Sequence, residues 1–291
     1  MHRNIDEIEF TIFDTETTGL DPLGGDRIVE IAAIRFKGSV RLAVFQSLIN
    51  PGRPVSSAAF AVNHITEEML CGAPLAVEVI PRFLEFISDS CLCSYNAPFD
   101  LGFLNNEIRE IVNAQGKRGV GLIQLPHSGS NKPEEKIVVD ILKMAKSLLP
   151  EIPRYALWFV AGQLGVEAQQ QHRAFSDVEM TLAVFFKLKE RLKNKGVGDF
   201  INFSTLFGLG SRFLDDISTQ KIAKLQEALD LGARIKLKYL SRSTAEVSER
   251  EVLPREIRKE KKYHYLIGYC SLRQEERSFR VDHILSLELL L

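Results

Sequence analysis

The sequence predicts an α/β fold, a mixed sheet with helices on its faces, followed by a small β-rich C-terminal domain. Three apolar, strand-like segments near the N-terminus are separated by short turns, which favours antiparallel pairing. Strand and helix patterns then alternate, which is typical of a sheet with flanking helices. From Arg234 onward, apolar residues recur at every second position, as they do in β-strands.

The composition is that of a globular protein with two oppositely charged parts. The 291 residues suffice for two domains, and a hydrophobic content of 45% supports a full core. The formal net charge is −1, yet residues 234–291 contain 13 Lys and Arg against 9 Asp and Glu, and the remainder is acidic. An acidic first part suits metal-binding carboxylates, whereas a basic last part suits an anionic partner.

The cysteines and the hydropathy pattern predict a cytoplasmic protein without membrane contact. The four cysteines lack a zinc-binding spacing, which favours buried, reduced thiols. No signal peptide precedes the first strand, and no apolar run reaches the roughly 18 residues of a membrane span.

Local patterns define the elements of the first predicted domain, residues 1–195. Thr66 followed by two acids predicts a helix N-cap. The segment from Gly116 to Glu135 is rich in Gly, Pro and polar residues, which predicts a long surface loop. The predicted strands are 10–13, 27–36, 40–49, 91–95 and 136–140. The predicted helices are 57–64, a short one after Thr66, 74–87, one opening at Asp100, 141–149, 155–164 and 175–193.

Residues 196–232 are expected to form a helical linker, and residues 233–291 the second domain. Within the linker, a helix over 217–231 is expected, with Ser218 as its N-cap and Gly232 as its stop. Four or five short strands in so few residues predict a strongly bent sheet or a barrel. The expected strand segments are 235–239, 252–255, 263–270, 278–284 and 285–291.

Two acids at the end of the first predicted strand are candidate ligands of a divalent metal ion. Asp14 and Glu16 are two residues apart, so in a strand they project from the same face. Two bare carboxylates there repel each other, and a hard divalent cation removes that conflict. A solvated strand end is the alternative interpretation of this stretch.

Later polar residues extend the pattern. Asp100 follows a strand end and opens a helix, where the helix dipole by itself also favours an acid. His172 precedes Asp177 by five residues, and a surface histidine at a helix entry is the alternative for it. Asp140 also ends a strand, but it stands alone.

Three motifs occur in a fixed order, with a softer fourth segment between the first two. They are Asp14-Thr15-Glu16-Thr17-Thr18-Gly19-Leu20, Asn96-Ala97-Pro98-Phe99-Asp100 and His172-Arg173-Ala174-Phe175-Ser176-Asp177, and the softer one is Val62-Asn63-His64-Ile65-Thr66-Glu67. In this order they resemble the DEDD-type 3′–5′ exonucleases with a catalytic histidine, as in bacterial polymerase proofreading subunits. The resemblance covers roughly residues 9–192 and implies a ribonuclease-H-like fold. Tyr95 departs from the pattern, since the family often has a histidine there.

The resemblance implies an active site made of four acids and one histidine. The implied catalytic residues are Asp14, Glu16, Asp100, His172 and Asp177. The four acids would hold two divalent cations, Mg²⁺ or Mn²⁺, with Asp14 bridging them, and His172 would accept a proton from the attacking water. By family position, the residues expected to hold the terminal nucleotide are Thr17, Gly19, His64 and Phe99. Phe99 suits core packing equally well.

The C-terminal stretch carries a second set of motifs. These are His264-Tyr265-Leu266, Val252-Leu253-Pro254 and Arg277-Ser278-Phe279-Arg280-Val281-Asp282-His283-Ile284. They resemble the WYL domain of bacterial regulators, with His264 in place of the naming tryptophan. The resemblance implies an SH3-like barrel that binds nucleic acid or a nucleotide and controls an attached module. The residues that would offer phosphate contacts and stacking are Lys238, Tyr239, Arg255, Tyr265, Arg277 and Arg280.

These observations favour a metal-dependent 3′–5′ exonuclease with a ligand-binding tail. The expected substrates are 3′ ends of single-stranded nucleic acid, DNA favoured, and the expected products are nucleoside 5′-monophosphates. Such an enzyme fits DNA repair, defence or nucleic-acid turnover. The alternatives are a nucleic-acid-sensing or nucleotide-sensing regulator built on an inactive nuclease, and an RNA-processing exoribonuclease.

Overall fold

The computed structural model describes residues 3–115, 136–167, 172–209 and 212–290, in which a mixed α/β part precedes an antiparallel sheet. The predicted loop from Gly116 to Glu135 lies outside the described residues. None of the helices in these ranges is long and apolar enough to cross a lipid bilayer. The strands of the first part are β1 (Glu9–Thr17), β2 (Ile28–Lys37), β3 (Val40–Leu48), β4 (Cys91–Ser94), β5 (Val138–Asp140) and β6 (Gly208–Leu209). Its helices are α1 (Ser57–Asn63), α2 (Glu67–Cys71), α3 (Ala76–Phe86), α4 (Ala97–Gln115), α5 (Ile141–Leu148), α6 (Leu157–Gln163), α7 (Ala174–Asn194) and α8 (Phe200–Phe207).

The first sheet has the strand order β3-β2-β1-β4-β5-β6. β1, β2 and β3 pair antiparallel, whereas β4 pairs parallel with both β1 and β5. This arrangement confirms the prediction of three antiparallel strands followed by strand–helix alternation. It also places the end of β1 beside the end of β4, because these two neighbours run in the same direction. Polar residues after each strand are thereby brought together.

The edge strand β6 was not predicted. It comprises only two residues, too few for a periodic pattern, and it lies in the segment expected to be a linker. β6 pairs antiparallel with β5, where Val139 lies opposite Gly208. A Cβ atom on Gly208 would overlap the carbonyl oxygen of Ser204, so only glycine fits this close approach.

α4 begins three residues earlier than expected. Its first residue is Ala97 and not Asp100. Asn96 adopts a left-handed backbone conformation with φ of 67°, which turns the chain sharply between β4 and the helix. Pro98 then occupies the first turn of α4, where its missing N–H is not needed. Asp100 therefore lies in the first helical turn, directly below the end of β4.

The main core lies between the first sheet and α7 and is rich in phenylalanine. Phe10 on β1 is buried at its centre. Its ring centroid lies 5.4 to 6.2 Å from those of four other aromatic rings, Phe36, Phe185, Phe200 and Phe203. This packing fixes α7 against β1, and so fixes the distance between the acids that each element carries.

The C-terminal part is a five-stranded antiparallel sheet packed on one helix. Its strand order is β10-β9-β8-β7-β11. Leu225 and Ala228 of the helix share a buried cluster with Ile235 and Leu237 of the sheet. The elements are α9 (Arg212–Asp230), β7 (Arg234–Leu240), β8 (Val247–Glu260), β9 (Tyr263–Cys270), β10 (Glu275–Arg280) and β11 (Ile284–Leu290).

This second sheet is strongly bent, as expected from its short strands. Tyr239 on β7 and Phe279 on β10 are three positions apart in the strand order, about 14 Å in a flat sheet. Their ring centroids are nevertheless only 5.2 Å apart. The sheet must therefore curl, so that its two ends approach each other.

Two predictions about the C-terminal elements were wrong. The helix begins at Arg212, so Ser218 lies inside it and is not its N-cap. The segment 278–284 is not one strand, because a 3₁₀ turn over Val281–His283 separates β10 from β11. β10 and β11 lie on opposite edges of the sheet, and this turn carries the chain across. A hydrogen bond between His283 Nδ1 and the Leu240 carbonyl, 3.0 Å long, anchors the turn to β7.

The two parts of the chain are packed against each other. Leu240 and Leu285 belong to the same buried cluster as the core of the first part. Lys195 pairs with Glu246 at 2.8 Å, and the Lys238 ammonium donates to the Gly196 carbonyl at 3.2 Å. In the segment 196–232, α8 and β6 join the first part, whereas α9 joins the second. The division of the chain at residues 195 and 232 stays a prediction.

The aromatic core yields a first prediction. Phe10→Ala leaves a cavity among four rings, and we expect a loss of about 3–5 kcal/mol in the free energy of unfolding. Chemical denaturation followed by fluorescence measures it. The matched control is Leu42→Ala on β3, because Leu42 is 49% exposed and its truncation should change stability by less than about 1 kcal/mol. Equal losses in the two variants would contradict the packing described.

Candidate active site

Three carboxylates meet at the end of β1. Asp14 and Glu16 project from the same face of the strand, and Asp177 reaches them from the first turn of α7. One carboxylate oxygen of each lies within 4.8 Å of the other two. Asp177 is buried, and the two strand residues are half-buried. An ion between them would therefore be bound by protein on several sides and still be reached from solvent.

Mutual repulsion and burial raise the pKa values of these acids. The pKa of Asp14 is raised well above its usual value, first by burial and then by the charges of Asp100, Glu16 and Asp177. Burial and the charge of Asp177 raise the pKa of Glu16 to about 8. At neutral pH the cluster thus favours bound protons, or a cation in their place.

Asp100 is fixed from two strands. Its Oδ1 accepts hydrogen bonds from the Thr15 N–H at 3.0 Å and from the Thr15 hydroxyl at 2.8 Å. Its Oδ2 accepts one from the Ser94 hydroxyl on β4. Burial raises the pKa of Asp100 to about 6, and these hydrogen bonds oppose the rise. The carboxylate is therefore held in one orientation beside Asp14, although it stands outside the group of three oxygens.

A fifth buried acid, Glu30, was missed in the sequence. It lies opposite Glu16 in the pairing of β1 with β2, so two acidic side chains face each other across the strands. Arg173 donates two hydrogen bonds to Glu30, at 3.0 and 2.8 Å, and the Ala174 N–H donates a third at 3.0 Å. This ion pair anchors the start of α7 to β2, and so positions Asp177. The presence of an acid within the apolar run 27–36 could have identified Glu30 from the sequence.

Asn63 is a second residue that sequence reasoning passed over. Its side chain donates to the Thr17 carbonyl at 3.3 Å and hydrogen-bonds to Glu16, which lowers the pKa of that acid against the effect of burial. Its Oδ1 accepts from the Ile65 N–H at 3.1 Å. Asn63 therefore ties the end of α1 to the acidic cluster. Asn63 belongs to the softer motif, and this position could have identified it from the sequence.

Two of the predicted substrate residues shape the turn after β1. The Thr17 hydroxyl donates to the Gly19 carbonyl at 2.6 Å. A Cβ atom on Gly19 would overlap the carboxylate of Asp26, which accepts a hydrogen bond from the Thr18 hydroxyl at 3.0 Å. Both residues thus have a structural reason to be present, in addition to the expected contact with substrate.

The other predicted site residues lie in different settings. His64 is exposed at the end of α1, with φ of 55° and its ring edge-on to Phe60. Phe99 is half-buried, and its ring packs 5.0 Å from that of Phe103. His172 is exposed just before Arg173, and its φ of 48° marks the turn into α7.

Two residues near the motifs have structural roles. Asp140 caps α5 by accepting from the Leu142 N–H at 3.0 Å, and it also accepts from the Asn96 N–H at 3.2 Å. Tyr95, the departure from the family pattern, donates its hydroxyl hydrogen to the Tyr155 carbonyl at 2.6 Å.

The residues predicted to bind a ligand in the C-terminal domain lie partly together. Tyr265 lies opposite Arg280 in the pairing of β9 with β10, and the Arg280 N–H donates to the Tyr239 hydroxyl at 3.4 Å. Lys238 faces the first domain, while Arg280 is buried, pairs with Asp282 and stacks on Tyr263 at 3.7 Å. Arg255 is exposed on β8, and Tyr265 is half-buried on β9. Of the six predicted residues, Tyr239 and Arg277 line one cavity, and the ligand role of all six stays a prediction.

Comparisons with known proteins match two parts of the chain to protein families. A family model described as Exonuclease matches residues 11–185, and one described as WYL domain matches residues 220–289. The chain is 36% identical over 200 residues to the DNA polymerase III subunit epsilon-like protein of Rhodobacter capsulatus, covering 67% of this chain and 26% of that protein. It is 32% identical over 196 residues to the DNA polymerase III PolC-type of Bacillus subtilis, covering 67% of this chain and 12% of that protein.

The chain thus spans about an eighth to a quarter of the length of these curated relatives. Among solved structures, the nuclease domain of 3'hExo, a DEDDh family member, bound to rAMP, is similar with a TM-score of 0.50 and 15% identity. The match covers 67% of this chain and 96% of that one. This likeness confirms the ribonuclease-H-like fold expected from the sequence.

The raised pKa of Glu16 predicts how stability depends on pH without divalent metal. Between about pH 4.5 and pH 8 the folded protein keeps a proton on Glu16 that the unfolded chain releases. The free energy of unfolding should therefore fall as pH rises through this window. Glu16→Gln should flatten the curve and be more stable than the unmodified protein above pH 8, by roughly 2 kcal/mol.

Denaturation in EDTA at several pH values measures this effect. Glu179→Gln is the control, because Glu179 is exposed on the same helix as Asp177 and pairs with Arg41 at the surface. With saturating Mn²⁺, the free energy of unfolding of the unmodified protein should rise with pH instead of falling, because the ion replaces the proton. Parallel pH curves for the two variants would contradict a strained acidic cluster.

The Glu30–Arg173 pair gives a further prediction. Arg173→Gln leaves a buried carboxylate facing Glu16 without its cation, and we expect destabilisation of about 2–4 kcal/mol together with a loss of activity. Adding Glu30→Gln removes the stranded charge, so the double variant should recover part of that stability. A double-mutant cycle of unfolding free energies measures the coupling. Additive losses would show that the pair does not anchor α7.

Proposed function

The chain belongs to the exonuclease family and carries a WYL domain, and from this premise we propose a metal-dependent 3′–5′ exonuclease. It releases nucleoside 5′-monophosphates from the 3′ ends of single-stranded nucleic acid and prefers DNA to RNA. The observation that carries the proposal is the cluster of Asp14, Glu16 and Asp177, whose oxygens lie within 4.8 Å of one another. Asp100, in the first turn of α4, and His172, just before α7, lie on neighbouring elements.

The donor set fits hard divalent cations. All its ligand atoms are carboxylate oxygens, which suit Mg²⁺ or Mn²⁺. The raised pKa values of Asp14 and Glu16 support this fit, because a cation offsets the repulsion that raises them. When bound, a pair of such ions polarises the scissile phosphate, activates the attacking water and stabilises the leaving 3′-oxygen.

The side chains of the site have two further roles, which are to hold the ions and to accept a proton. Asp14, Glu16 and Asp177 supply the negative charge that holds the ions, and Thr15 and Ser94 keep Asp100 aimed at the same place. His172 accepts the proton of the attacking water, which an imidazole does near neutral pH. Its exposure leaves it free to approach the phosphate and to pass the proton to solvent.

The terminal nucleotide is proposed to lie against the turn after β1 and the end of α1. Thr17, Gly19, His64 and Phe99 are its proposed contacts. Asn63 supports them, because its hydrogen bond to the Thr17 carbonyl holds these two segments together. Phe99 still offers part of its ring, since it is only half-buried on Phe103.

Two further features are proposed, namely a preference for DNA and a regulatory role for the WYL domain. The two curated relatives described above are named DNA polymerase III proteins, which supports DNA as substrate. For the WYL domain we propose an anionic ligand, nucleotide or nucleic acid, and control of the exonuclease through the packed interface. The free cysteines agree with a cytoplasmic setting.

Digestion of 5′-labelled single strands tests the proposal. With Mg²⁺ or Mn²⁺ we expect a ladder of shortened labelled products, because removal from the 3′ end keeps the label on the strand. Asp14→Asn should lower the rate by roughly a hundredfold or more, since it removes a charge from the ion site. Asp89→Asn, an equal change at an exposed position, is the control.

Comparing the cleavage rates of DNA and RNA strands in parallel reactions shows whether the enzyme prefers deoxyribose or ribose. A single labelled mononucleotide from the start of the reaction would show the opposite direction. No cleavage of either strand with either metal would remove the enzyme proposal and leave the sensing regulator in its place. Faster cleavage of RNA would establish the exoribonuclease instead.

A further inference from the structure

The bend of the C-terminal sheet creates a cavity of about 260 Å³. It lies between the turn that follows β7 and the residues of β8, β9 and β10 that curl toward it. It is lined by Tyr239 and Phe279, the two rings that the bend brings together. The wall is formed by arginines and small hydroxyl residues, namely Arg242, Arg250, Arg273, Arg277, Ser241, Ser243, Thr244 and Ser278.

The charge of this cavity is positive, and no carboxylate lines it. Four of its lining residues are arginines, and none is Asp or Glu. Arg242 and Arg273 have no ion-pair partner among the described residues. Arg250 donates to the Ser248 hydroxyl at 3.0 Å, and Arg277 pairs with Glu275 at the exposed edge. Like charges gathered in one concave place repel each other unless an anion joins them.

Three other cations on the strands of this domain form ion pairs outside the cavity. Lys236 pairs with Glu249, Arg255 with Glu276, and Arg258 with Glu256, at distances of 2.8 to 3.1 Å. Such pairs are typical of a solvated protein surface. Of the four arginines that line the cavity, Arg277 forms such a pair, whereas Arg242 and Arg273 form none within the described ranges.

Hydrogen-bond donors accompany the charge. The four hydroxyl residues of the wall add neutral donors beside the guanidinium groups. Burial raises the pKa of Tyr239, and the charge of Asp282 adds to this rise, whereas Arg280 and Arg242 oppose it. Guanidinium groups with hydroxyls around a cavity match the oxygens of phosphate better than those of a single carboxylate.

We propose that this cavity binds the phosphate groups of a nucleotide or of a short single strand. The inference deepens the ligand-binding role proposed above for the WYL domain and rests on it. Arg277, Ser278 and Phe279 of the C-terminal motif line the cavity, whereas Tyr265 and Arg280 do not. The cavity is small for a ligand site, so it holds one nucleotide unit and not a longer segment.

The test measures binding without catalysis. Full-length protein with Asp14→Asn is kept in EDTA, and its affinity for pyrophosphate, 5′-AMP and a short labelled DNA strand is measured by calorimetry and fluorescence anisotropy. The pocket variant adds Arg242→Gln and Arg273→Gln, both exposed and without an ion-pair partner in the described ranges. The control adds Arg258→Gln and Lys259→Gln instead, an equal loss of charge on β8 outside the cavity.

We expect at least one probe to bind, with affinity reduced about tenfold or more in the pocket variant and within about twofold in the control. Binding of 5′-AMP or pyrophosphate identifies a small phosphate ligand, whereas binding of the strand alone identifies oligonucleotide phosphates. No binding of any probe, or equal losses in the two variants, would overturn the proposal. Because metal and Asp14 are both absent from this measurement, its result is independent of whether the first domain cleaves nucleic acid.

Discussion

Repulsion among buried carboxylates is the constraint on which the first domain depends. Asp14, Glu16 and Asp177 converge within 4.8 Å, Asp100 repels Asp14, and Glu30 faces Glu16 across the strands. The domain meets this constraint in three ways. Arg173 supplies a cation to Glu30, hydrogen bonds fix Asp100, and the remaining three acids are left for protons or metal. The aromatic core around Phe10 keeps α7 against β1 in spite of the repulsion, so packing energy maintains a site that electrostatics alone would open.

The C-terminal domain is placed to act on the same helix. The turn 241–246 contributes residues to the arginine cavity on one side, and on the other side Glu246 pairs with Lys195 just beyond the end of α7. Asp177 lies in the first turn of that helix. Leu240 and Leu285 complete the core of the first domain, so removing the C-terminal domain would expose apolar surface as well as delete a ligand site. Point substitutions in the cavity therefore separate the two effects, and truncation does not.

The sequence was informative where a short pattern carries the chemistry. The two-residue spacing of Asp14 and Glu16 predicts a shared face, and the strand–helix alternation predicts the parallel part of the sheet. It was uninformative where contacts join distant residues. Glu30 and Arg173 are 143 residues apart, and neither position alone indicates the pair. β6 is too short for periodicity, and the arginine cavity arises from the bend of a sheet, which a motif does not describe. Of the six residues chosen from the WYL motifs, Tyr239 and Arg277 line that cavity.

The most direct test of the acidic cluster as a metal site is an anomalous-diffraction map of crystals soaked in Mn²⁺. The geometry predicts a peak in contact with Asp14 and with Glu16 or Asp177, at ligand distances near 2.1 Å. It also predicts that the peak disappears in Asp14→Asn crystals treated in the same way. Manganese bound only elsewhere on the protein, or an unchanged peak in the variant, would contradict the assignment of these acids to metal and with it the proposed chemistry.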